Sequence, residues 1–159
     1  MMNALSRRTL KGFSLIELVI VVVIIGIIGA IAIPRLSRGS AGAAENSLRG
    51  NLAVLRSAIE LYAAEHDGAF PAAGTIAAQL TQYSDFEGNT NASKTAVYIY
   101  GPYIQSVPPL PVGAKKGGTL IAAADAANVG WIYDAATGKI RANTTAGEND
   151  ARGVAFSDY

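Results

Sequence analysis

One residue stands out chemically: Glu17, a lone carboxylate four positions after Phe13, at the threshold of an apolar run over 18–33. Taking a carboxylate out of water costs several kcal/mol unless it is paired, so Glu17 needs an explanation: a partner for its charge, or a side chain that snorkels to the headgroups. Three basic residues, Arg7, Arg8 and Lys11, precede it. Elsewhere the reactive inventory is thin. The chain has no cysteine, which removes disulfides, thiolate metal sites and a thiol nucleophile. Its one histidine, His66, has no acidic cluster of metal-ligand type beside it and reads as a solvated helix-end residue. Glu148, Asp150 and Asp158 offer oxygens to a hard cation such as calcium, but their spacing matches no binding loop. Asp85 and Glu87 read as a solvated pair, and Gly117-Gly118 opens no phosphate loop. With no nucleophile and base in view, the sequence predicts a protein that is not an enzyme.

The elements that must position Glu17 follow from length and charge. At 159 residues there is room for one domain and one special segment. The formal charge of +1 disfavours nucleic acid as a strong partner. That charge is uneven: the first twelve residues hold three basic side chains and no acid, leaving ten basic against twelve acidic in the remainder. Residues 13–33 carry only Glu17 as a charge, and as a helix they cover roughly 30 Å, a bilayer core. The basic cluster predicts an N-terminus in the cytoplasm and the rest of the chain outside. Three readings of this segment compete: a signal peptide cut at Ala30-Ile31-Ala32, a plain single-pass anchor, and a segment cut after Gly12 that frees the amine of Phe13. The third gives Glu17 a purpose. One helical turn separates it from Phe13, and an amine from a neighbouring chain would pair with it, favouring packed helices and setting their stagger. The uncut chain cannot form that pair. Gly26 and Ala30 permit close helix contact, and Pro34 is expected to kink a continuous helix.

Residues 11–21, Lys-Gly-Phe-Ser-Leu-Ile-Glu-Leu-Val-Ile-Val, resemble the processing motif of type IV pilins and type II secretion pseudopilins, with Pro34 where that family places its kinking proline. The resemblance implies that a membrane aspartyl prepilin peptidase cuts after Gly12 and N-methylates Phe13. It also implies that Phe13, Glu17 and Pro34 serve assembly.

Downstream, Leu48, Leu52, Leu55, Ile59 and Tyr62 recur at spacings of four and three, one apolar stripe on a helix. This stripe predicts a cover for a sheet rather than a coiled-coil seam. Arg56 and Glu60 are placed for weak mutual support. Gly68 and Pro71 predict the stop, giving a helix over about 14–66. Residues 37–44, small and glycine-containing, read as a joint or a segment that melts on assembly. A short helix is expected over 75–83, loop over 84–93, and an irregular connection over 95–113 with Tyr103 and Ile104 inward and a rigid proline-rich surface loop. A strand is expected near 119–123, and a hairpin over 130–143 around Gly138. Residues 154–156 are placed to dock on the sheet.

The predicted class is α+β: a long kinked N-terminal helix, half membrane and half amphipathic, packed on a small antiparallel sheet. Gly101-Pro102-Tyr103-Ile104 is similar to a segment of major pseudopilins, and Gly130-Trp131-Ile132-Tyr133-Asp134 resembles pilin hairpins; the calcium loop of major pseudopilins is missing. The resulting division is a cleaved leader over 1–12, a transmembrane and assembly helix over 13–34, and a periplasmic domain over 35–159. The resemblance implies a structural subunit of a type II secretion pseudopilus in the inner membrane and in the filament. Its partners would be further copies, other pseudopilins, the prepilin peptidase, the inner-membrane assembly platform and lipid. A type IV pilus subunit and a monomeric membrane-anchored binding domain are the alternatives.

Overall fold

The computed structural model describes residues 12–159. The leader residues 1–11, and the side chains of 33–39 with Pro34 among them, lie outside the described set, and so do the kink and assembly role expected of that proline. The elements are α1 (Leu15–Glu65), α2 (Ile76–Thr81), β1 (Tyr83–Ser84), β2 (Thr90–Asn91), β3 (Leu120–Ala122), β4 (Val129–Asp134), β5 (Lys139–Ala142) and a 3-10 turn, Phe156–Asp158. The described residues fall into two compact units, 12–40 and Ala41–Tyr159.

In the first unit, Leu15–Ala32 is helical with a mean hydropathy of 3.1 and no buried residue, long and apolar enough to cross a membrane. Apolar side chains on every face leave such a helix without a preferred side in water, which marks it for lipid or for other helices.

In the second unit the predicted stripe is the core. Leu48, Leu52, Leu55, Ile59 and Tyr62 are all buried, against Ile76, Leu80, Leu110, Trp131, Tyr133 and Ile140. Burying each large side chain contributes roughly 1.5–3 kcal/mol, so the stripe holds this part of α1 on the sheet. The helix stops where Asp67 and Gly68 take positive φ (54° and 83°) and the Gly68 N–H reaches back to the Ala63 carbonyl at 2.8 Å. Pro71, fully buried, follows and accepts the Tyr133 hydroxyl on its carbonyl at 2.9 Å.

The larger sheet has the order β3-β4-β5. Strands β4 and β5 form the predicted antiparallel hairpin, with Tyr133 opposite Ile140, and the Asp134 carboxylate caps its turn at Ala136 and Thr137. Strand β3 pairs with β4 in parallel, with a register shift after Leu120, so the sheet is not antiparallel throughout. At Gly130 a Cβ would meet the Gly118 carbonyl oxygen at 2.1 Å, so only glycine lets the chain entering β3 approach β4 this closely.

Other expectations are corrected. Residues 37–44, small and glycine-containing, are nevertheless helical within α1. Residues 84–93 are not all loop: β1 and β2 form a small antiparallel pair. The proline-rich segment, expected as a rigid surface loop, is anchored from within: Leu110 is buried and the Pro108 carbonyl accepts the Trp131 indole N–H at 2.8 Å.

Candidate functional site

Gly12, Phe13 and Ser14 precede the first turn of α1, outside helical structure, and Phe13 is 85% exposed. Ser14 occupies the N-cap position and Glu17 is the third helical residue. Its carboxylate Oε2 accepts the Ser14 main-chain N–H at 2.8 Å. This is one arm of a capping box: a carboxylate at that position satisfies a main-chain donor the helix cannot, and the positive end of the helix dipole favours its charge. Within one chain, then, Glu17 is held at the helix start beside the residue that follows Phe13. The Ser-x-x-Glu spacing was the legible signal for it, and the reading of Glu17 as an assembly residue passed over it.

The three acidic residues considered for calcium have separate tasks. Glu148 accepts the main-chain N–H groups of Thr145 and Ala114 at 2.8 and 2.5 Å, which lowers its pKa. Asp150, its side chain fully buried, accepts the Tyr159 hydroxyl at 2.5 Å, the N–H of Val154 and of Arg152 at 2.8 Å each, and the Arg152 Nε–H at 2.9 Å. The Tyr159 hydroxyl first, then the Val154 and Arg152 donors, hold this carboxyl well below the usual range against the opposing effect of burial. Among the described residues Asp158 accepts the Ser157 hydroxyl alone, at 3.2 Å. Among the described residues no three His, Asp or Glu side chains converge as a metal-ion set would require.

These contacts belong to a clasp that the sequence did not reveal. The polar face of α1 holds the last residues of the chain. Glu45 accepts the Ala151 N–H at 3.1 Å, and Arg49 donates to the Tyr159 hydroxyl at 2.9 Å with its guanidinium 4.9 Å from the ring centre. Arg56 does not pair with Glu60 as expected; it donates to the Ile140 carbonyl at 3.3 Å and to the main-chain oxygen of Tyr159.

His66 is buried, not solvated. Its ring stacks on Tyr62 at 3.8 Å, Nδ1 faces the Tyr62 carbonyl at 2.8 Å, and Nε2 faces the Asp85 carbonyl at 3.0 Å and the Ser84 hydroxyl at 3.2 Å. It ties the end of α1 to β1. Nearby, the Tyr103 hydroxyl donates to Glu65 at 2.6 Å, and burial with that carboxylate raises its pKa. Burial also pushes the Tyr133 phenol up to about 12.

A groove of about 650 Å³ runs between α1, the β4–β5 hairpin and Tyr159, with Ile59, Phe70, Ile132 and Ile140 giving it apolar walls beside Arg56. It holds no histidine, and none of the described contacts joins a nucleophile to a base there.

The model of the prokaryotic N-terminal methylation motif matches residues 7–33. This match supports the type IV pilin-like family and suggests a pilin-like subunit. The motif implies processing by a prepilin peptidase and assembly into a filament, and together with the apolar helix it fits membrane anchoring. Comparison with curated proteins and with solved structures gave no match.

Proposed function

We propose that this chain is a non-enzymatic structural subunit of a type II secretion pseudopilus, a filament that helps move folded proteins across the outer membrane. Cleavage after Gly12 frees Phe13, the new amine is methylated, and residues 35–159 lie in the periplasm with residues 13–34 anchored in the inner membrane. The observation that carries this reading is Glu17 at the start of an otherwise apolar helix, one turn from the cleavage position, inside the matched motif. Its contact with the Ser14 N–H compensates the charge before assembly. In the filament the amine of a neighbouring Phe13 supplies a full positive charge, and in a low-dielectric setting that pair outweighs one neutral donor.

The lack of cysteine and the inward Tyr103 of the Gly101-Pro102-Tyr103-Ile104 segment favour a pseudopilus over a type IV pilus subunit. The groove beside Tyr159 favours the other alternative, a monomeric anchored binding domain. N-terminal sequencing with mass measurement of the membrane form separates these readings. The filament reading predicts N-methylated Phe13. An intact Met1 or Met2 supports the plain anchor, and a new terminus at Ile33 supports a secreted protein.

A further inference from the structure

We propose that Asn91 is an acceptor for an N-linked glycan. The chain holds two Asn-x-Ser/Thr triplets, Asn91-Ala92-Ser93 and Asn143-Thr144-Thr145, neither with proline in the middle. That pattern is the acceptor signal for glycosylation of an asparagine amide on a surface loop. The fold treats the two triplets in opposite ways. Asn91 closes β2 opposite Tyr83, and the chain then leaves the sheet into a stretch, 92–97, exposed at every position. The Asn91 carboxamide oxygen accepts the Ser93 N–H at 2.9 Å, an Asx turn that fixes the side chain by its oxygen. Asn91 is half-buried and Ser93 exposed, and among the described residues neither the Asn91 Nδ2 nor the Ser93 hydroxyl meets a hydrogen-bond partner, so both groups of the signal are uncommitted. Asn143 is 6% exposed, and its Nδ2 is spent on the Asp125 carboxylate at 2.8 Å and the Val129 carbonyl at 2.7 Å. The second triplet is therefore closed to a transferase, and the molecule carries its own control.

The donor is a sugar on a diphosphate leaving group. The bond from the anomeric carbon to the phosphate oxygen breaks, and a bond from that carbon to Nδ2 of Asn91 forms. The Nδ2 proton passes to a base of the transferase, and the diphosphate departs with the electron pair of the broken bond. A nucleotide carrier delivers a single hexose, and a lipid carrier delivers an oligosaccharide. The inference rests on the filament-subunit reading only in that the lipid-linked route requires residues 41–159 outside the cytoplasm.

The test is peptide mass mapping of the full-length protein purified from the cells that carry its gene. The expected result is a hexose or oligosaccharide increment on the peptide containing Asn91. Its enzymatic release should leave Asp at that position. Ser93→Ala, which keeps the asparagine but breaks the signal, should abolish the increment, and Thr145→Ala, which breaks the other triplet, should retain it. An Asn91 peptide found only at its unmodified mass overturns the proposal, as does an increment that survives Ser93→Ala. The size of the increment identifies the carrier. N-methylation of Phe13, read in the same digest, fails or holds independently and reports on the filament reading alone.

Discussion

Replacing Leu55 with alanine should cost the Ala41–Tyr159 unit about 3 kcal/mol. Leu55 is 0% exposed, at the centre of the stripe of α1 that meets Ile76, Leu80 and Trp131. Truncating a buried leucine loses the transfer free energy of the removed carbons and leaves a cavity, together roughly 2–5 kcal/mol. Val54, its neighbour on the same helix, is 50% exposed, so Val54→Ala should change stability by less than about 0.5 kcal/mol. The two substitutions affect helix propensity in the same direction, so the contrast between them isolates packing on the sheet. The assay is urea unfolding of a fragment of residues 41–159. It would be followed by the fluorescence of Trp131, the only tryptophan, which is fully buried in the same core. With a denaturant slope of ~1.5 kcal/mol/M, Leu55→Ala should move the midpoint down by ~2 M while Val54→Ala leaves it nearly unmoved. Equal shifts for the two would refute the placement of this helix face as the core, and would favour an unpacked helix reserved for a coiled-coil seam.

Two other expectations concern the clasp near Tyr159. Because the folded state holds the Asp150 carboxyl below its unfolded value, its contribution is present above roughly pH 4 and is lost as the pH falls through the folded value. Acid titration of thermal stability should therefore fall more steeply for the wild type than for Asp150→Asn, which starts less stable at neutral pH; parallel curves would contradict the assignment. Calcium added against a chelator should leave the unfolding midpoint unchanged, since Glu148 and Asp150 already accept protein donors. A midpoint that climbs with calcium concentration by mass action would restore a cation site at these residues.

What could be read in advance was whatever depends on local periodicity. The stripe from Leu48 to Tyr62, the stop at Gly68 and the hairpin around Gly138 each follow from residues a few positions apart, and each stands where the pattern put it. What escaped depends on partners far along the chain. Glu45, Arg49 and Arg56 look like an ordinary solvated face until the last residues, about a hundred positions on, come back to meet them. His66 looks solvated at a helix end because its cover, Ser84, Asp85 and Tyr100, comes from β1 and the connection after β2. The parallel pairing of β3 was hidden because three residues with no alternation carry no direction. At the N-terminus the reverse holds: the Ser14-x-x-Glu17 cap was legible, but the stronger demand of a carboxylate beside an apolar run drew the reading elsewhere.

In the proposed filament the charge of Glu17, and not its cap, drives assembly. Glutamine at this position still accepts the Ser14 N–H, because a capping box takes Glu or Gln, yet it cannot form an ion pair. The most direct measurement is the filament yield, by electron microscopy, from cells making the wild type or Glu17→Gln, with both proteins verified by mass to begin at N-methylated Phe13. Filaments are expected from the wild type and few or none from the processed variant. Equal yields from the two would contradict this role of the charge.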